Sequence, residues 1–83
     1  MAYEIEPRKV AGVVIEANQA LVNKGFNQGE VLLGLSELIG RMIVEAAENK
    51  IQADEMVKVV NQHMELTINI GSQATEKSII ERV

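Results

Sequence analysis

Three polar side chains interrupt lines of the chain that are otherwise apolar: Asn18, His63 and Thr67. An amide, an imidazole and a hydroxyl together offer donors and acceptors to a small molecule. Arg8, Lys9 and Lys24 would add positive charge if that molecule were an anion such as a nucleotide. The plainer alternative is structural. Burying an unpaired amide or imidazole costs on the order of 1–3 kcal/mol, so these groups would instead satisfy one another or nearby carbonyls. They would then set helix register as a buried Asn does in a coiled coil. With His63 enclosed in a core, the assembly would be sensitive to acidification.

Other chemistry is sparse. The chain has no cysteine and one histidine, and that histidine lacks a Glu-x-x-His or His-x-x-x-His spacing. No nucleophile with a base and no metal cage is therefore expected, nor any cofactor. Glu45 and Glu48 stand one helical turn apart, which suits a solvated acidic wedge better than a cation site. The Gly-x-x-x-x-Gly spacings fall within a helical pattern and are not followed by Gly-Lys-Ser/Thr, so they do not form a phosphate loop. The expectation is a protein that is not an enzyme.

Composition narrows the class further. At 83 residues the chain reads as one domain, close to the size at which a single core is marginal and association is a common remedy. Its 47% hydrophobic content includes one Phe, one Tyr and no Trp, so the apolar volume is aliphatic and suits interlocking helix seams. A net charge of −4 opposes binding to a phosphate backbone. Read as the recognition helix of a helix-turn-helix, the third helix would present Asp54, Glu55 and Glu65 beside Asn61, Gln62 and Asn69, and those acids would repel DNA. The opening Met-Ala-Tyr-Glu-Ile-Glu-Pro carries acids where a secretory leader carries bases, and the most apolar stretch contains Glu37 and Arg41. A cytoplasmic protein without a membrane span is expected.

The elements that position these residues are all helical. Pro7 suits a first helical position and Gly25 a left-handed stop, which predicts helix 1 over about 7–24 with Lys24 at the negative end of its dipole. Asn27 with Glu30 three residues later is close to a capping box, with Phe26 available as a staple toward Val31. It predicts helix 2 over about 28–48. Asn49 to Gln52 reads as a connection, and helix 3 follows over about 53–70. Leu66-Thr67-Ile68-Asn69-Ile70 alternates and is rich in β-formers, so short strands at 2–6 and 66–70 are the lesser alternative. Gly71 would end helix 3. Ser72 would then cap a tail, 72–83, with Ile79, Ile80 and Val83 as a docking stripe. The fold class is all-α: a small antiparallel three-helix bundle with a short C-terminal helix or tail, assembled as a homo-oligomer.

Association is read from helix 2. Glu37, Arg41, Glu45 and Glu48 fall in one narrow wedge, leaving too much apolar surface for a lone small domain. Val31, Leu35, Leu38, Met42 and Ala46, with Leu32, Ile39 and Ile43 alongside, suffice to cover helices 1 and 3. Helix 1 carries Val10, Val14, Ala17 and Leu21 on one side and Ala11, Ile15 and Val22 on the other. Leu33, Ser36, Gly40, Val44 and Ala47 are left over, and their small members would let another helix approach closely. The functional expectation is a homo-oligomeric interaction protein that binds and modulates or inhibits a macromolecular partner, most simply another protein. Its profile is similar to that of small accessory proteins of phages and mobile elements, a likeness of composition alone. The alternative expectation is a protein that binds or sequesters a small, possibly anionic, ligand between helices or subunits.

Overall fold

Two of the three helices begin with short-range bonds that run from side chains to backbone N–H groups and are built on an asparagine. In the computed structural model of the protein, which describes residues 3–74, the Asn27 N–H donates to Glu30 Oε1 at 2.9 Å and the Glu30 N–H donates to Asn27 Oδ1 at 2.8 Å. This reciprocal box satisfies two helix-start donors that would otherwise lack partners, and it opens α2, Gln28–Ala46. At the second site the Gln52 N–H donates to Asn49 Oδ1 at 2.9 Å, while the Glu48 N–H donates to Gln52 Oε1 at 2.8 Å. It opens α3, Lys50–Ala74. Asn27 and Asn49 each also accept the first helical bond through their carbonyls, from Val31 at 3.1 Å and Ala53 at 3.0 Å.

The first helix, α1, spans Pro7–Leu21 and starts differently. Glu6 precedes it in an extended conformation with no side-chain cap, and its carbonyl accepts the N–H groups of Lys9 and Val10 at 2.9 and 3.1 Å. Pro7 at the first position has no N–H to satisfy. The described residues are thus all-helical, with three helices and no strand.

The boundaries correct several expectations. Helix 1 stops at Leu21 rather than Lys24, because Val22 leaves the helix with ψ 137° and Asn23 then takes a left-handed conformation, φ 59°, two residues before Gly25 at φ 85°. Asn tolerates that region through its short polar side chain and does at this helix end what Gly25 was expected to do. α2 ends at Ala46 because the Glu48 N–H is engaged by Gln52 of the next helix. The expected connection, Asn49 to Gln52, is itself the start of α3. That helix then runs through 66–70, so the strand alternative fails there, and Gly71 and Ser72 lie inside it rather than at a cap. Residues 3–6 are neither helix nor strand. The tail stripe of Ile79, Ile80 and Val83 lies outside the described residues.

The chain divides into two compact units, residues 1–45 and 46–83. In the first, no residue of α1 or α2 is fully buried. Val31, Leu35, Ile39 and Ile43 are half-buried on α2, each four residues from the next. Such a row is a ridge along the helix surface that seats in a groove, whereas Leu38 and Met42 remain exposed. On α1, Ala17 and Leu21 are half-buried, while Val10 and Val14 of the same side are exposed. In the second unit Met56, at 8% exposure, is the one buried hydrophobic residue among those described. Ala53 and Val60, one turn to either side of it, are half-buried.

Candidate functional site

At roughly 100° per residue the circumference of α2 splits into three consecutive sectors. The half-buried ridge runs through one, which also holds the exposed Leu32 and Met42. Opposite it and to one side run Glu37, Arg41 and Glu45, where Arg41 donates to Glu37 Oε2 from both Nε, at 3.0 Å, and Nη2, at 2.7 Å. Both partners of this ion pair are exposed, so it orders two side chains and contributes little stability. Between ridge and ion pair lies a sector of about 80° holding Leu33, Ser36, Gly40 and Val44.

That sector is apolar and uncovered. Leu33 is 74% exposed and Val44 78% exposed, the two highest values among the large hydrophobic residues of the described chain. They stand about 16 Å apart along the helix. Ser36 between them donates its hydroxyl to the Leu33 carbonyl at 2.9 Å. Its polarity is thereby turned inward, and a neighbouring helix would meet little but carbon. Among the described residues a Cβ at Gly40 would meet no atom within 4 Å beyond its own helix backbone, so no contact there requires a glycine. In a helix interior glycine costs up to about 1 kcal/mol relative to alanine. Ala47, expected on this face, lies one residue past the end of α2 and is half-buried, so four residues carry the face.

The expected ligand-binding residues are placed as follows. Asn18 is exposed on α1, and its carbonyl accepts the Val22 N–H that closes the helix. His63 and Thr67 are exposed one turn apart on α3, where the Thr67 hydroxyl donates to the His63 carbonyl at 3.0 Å. His63 is therefore not enclosed in a core of its own chain, and the Thr67 hydroxyl has its hydrogen in use. Arg8 and Lys9 stand at the start of α1, with Lys9 Nζ 3.4 Å from Glu6 Oε2. Lys24 stands beyond the other end of a 15-residue helix. That length separates the two groups by about 22 Å of axis, too far for one small anion to meet all three cations. No group of three or more His, Asp or Glu side chains fit to hold a metal is gathered among the described residues.

Asn49 and Gln52 escaped the sequence reading. Their Asn-x-x-Gln spacing was the available signal, and it matches that of Asn27 and Glu30. None of the helices is long and apolar enough among the described residues to cross a membrane. Comparison of the chain with protein-family models, curated proteins and solved structures finds no match.

Proposed function

We propose that the chain is a non-enzymatic helical interaction protein of the cytoplasm that assembles with copies of itself and acts by occupying a macromolecular partner, another protein, whose activity it modulates or inhibits. Within each copy the three helices would pack as an antiparallel bundle, with the 31-35-39-43 ridge of α2 turned inward. The observation that carries this reading is the uncovered sector of α2. Leu33 and Val44 are exposed on either side of a glycine that no contact among the described residues requires and a serine that has satisfied its own hydroxyl.

Burying one Leu or Val side chain is worth about 1.5–3 kcal/mol. An isologous contact buries each residue twice, so this small face supplies enough energy to matter in association. The expected result is an oligomer in size-exclusion chromatography with light scattering. Leu33→Glu or Val44→Glu should reduce it to monomers while the circular dichroism stays helical. A native chain that is a stable monomer at micromolar concentration would overturn the reading.

The ligand-sequestering alternative finds less support, because Thr67 has used its hydroxyl hydrogen and the cations are spread along α1. Thermal stabilisation by a nucleotide or another anion would revive it.

A further inference from the structure

The α2 face has one charged edge and one uncharged edge. Counted round the helix from Gly40, Leu33 and Val44 lie within about 40° on the side of Glu37 and Arg41, which follow at about 60° and 100°. Ser36 lies about 40° the other way, and the flank beyond it is Ile43, Leu32 and Ile39. No ionic side chain of α2 stands on that flank.

Along the axis the face is a palindrome of size, with Leu33 and Val44 outside and Ser36 and Gly40 inside. Turned end for end about its midpoint, between Leu38 and Ile39, a second copy sets its Val44 level with Leu33 and keeps the small residues at the crossing. The same turn brings Glu37 within about one residue, or 1.5 Å of axis, of Arg41 of the second copy. A two-fold axis of this kind also holds charged edge beside charged edge, so the opposite charges meet twice. A parallel pairing instead lays each charged edge against the uncharged flank, where the ions would lose water without gaining a partner. The complement that this face requires is thus the face itself read backwards.

The ion pair keeps capacity for that contact. Arg41 reaches Glu37 Oε2 through Nε and Nη2, which leaves Arg41 Nη1 and Glu37 Oε1 without a bond among the described residues. Of the other acids near this edge, Glu30 is tied to Asn27, Glu48 lies past the end of α2, and Glu45 stands about 140° from Gly40. Residues 61–71 of α3 are exposed too, but no charge follows Glu65 among the described residues, so that stretch indicates neither partner nor direction.

We infer that the α2 face takes the same face of a second copy in antiparallel register, Leu33 against Val44, with Glu37 and Arg41 as the residues that fix the direction. The inference rests on the reading of the chain as a self-assembling protein and specifies which surface of the partner is met and which way it runs.

Because the chain has no cysteine, direction can be read by cross-linking the full chain. On mild oxidation, a mixture of Leu33→Cys and Val44→Cys chains should form disulfide-linked dimers about tenfold faster than either variant alone, since like positions stand about 16 Å apart in the antiparallel pair. Equal or faster linking of either variant with itself would overturn the inference and leave self-assembly standing. Charge exchange supplies a second measurement. In sedimentation velocity, Glu37→Arg and Arg41→Glu should each weaken association, and mixing the two should restore it. Neither variant regains an ion pair within its own helix, so recovery on mixing comes from contact between copies. Absence of that recovery would overturn the assigned direction. A native chain that stays monomeric would overturn the self-assembly reading and the inference with it.

Discussion

The uncovered face of α2 and the distal half of α3 reach the same apolar outcome by different means. On α2 the face is narrow, built of small residues between Leu33 and Val44, and it borders the Glu37–Arg41 pair. On α3 it is wide, built of large side chains, and no charge lies beyond Glu65. Both contain a hydroxyl turned back on its own helix, Ser36 to Leu33 and Thr67 to His63. The difference separates two requirements of any interface. A narrow face with a charged border restricts how a partner can be oriented, while a wide uncharged face contributes area without direction.

The largest effect is expected at Leu35, two residues from Leu33 but on the half-buried ridge. Leu35→Glu should cost about 3 kcal/mol, comparable to the whole stability of so small a domain. Thermal melts should show loss of the folded state, in contrast to the helical monomer expected of Leu33→Glu. If both variants stay folded, ridge and face are not distinct.

A smaller effect tests whether α2 and α3 begin equivalently. Asn27→Ala removes one side of a reciprocal box and Asn49→Ala removes the acceptor of the Gln52 N–H; each should cost about 1 kcal/mol, read as similar drops in melting temperature. A negligible effect at either position would show that its bond does not stabilise the helix.

The finest distinction lies between two glycines of α2. Among the described residues, neither Gly34 nor Gly40 has an atom beyond its own helix backbone within 4 Å of where a Cβ would be, so alanine at either should raise the stability of the chain by about 0.5–1 kcal/mol. Gly34 falls in the sector of Glu37 and Arg41, whereas Gly40 falls between Leu33 and Val44. Gly40→Ala should therefore weaken the oligomer in light scattering and Gly34→Ala should leave it intact. Equal behaviour would remove the case for close approach at Gly40.

How much of this could be read beforehand depends on the range over which each feature is encoded. Pro7 and the Asn27/Glu30 box are complete within a few residues, and both stand where their spacing predicts. Asn23 was missed because its left-handed turn depends on a conformation that glycine advertises and asparagine only permits. The alternation of Leu66-Thr67-Ile68-Asn69-Ile70 suggested a strand as the lesser reading, but the Thr67 hydroxyl finds an acceptor one turn back and the segment continues the helix. The ridge of α2 was found only in part, since periodicity made Leu38 and Met42 equal candidates with Ile39 and Ile43. Which of two adjacent rows seats in a groove depends on the angle at which another helix crosses, and no periodicity contains that angle. The small-residue face was legible as residues, while its uncovered state is a property of the folded chain.

The short-range bonds that open α2 and α3 also bear on how the chain reaches its folded state. Each joins groups three or four residues apart, so the starts of α2 and α3 are marked by bonds that need no distant part of the chain. Loops that short close on a timescale of about 10–100 ns, and helices propagate from them at nanoseconds per residue. The sparse burial in α1 and α2 offers little to hold such early helices once formed. In the oligomer proposed above, helix formation would then be a fast local equilibrium, and the slow step would be the encounter of two chains. The rate at which this protein matures would therefore follow its abundance rather than its sequence length.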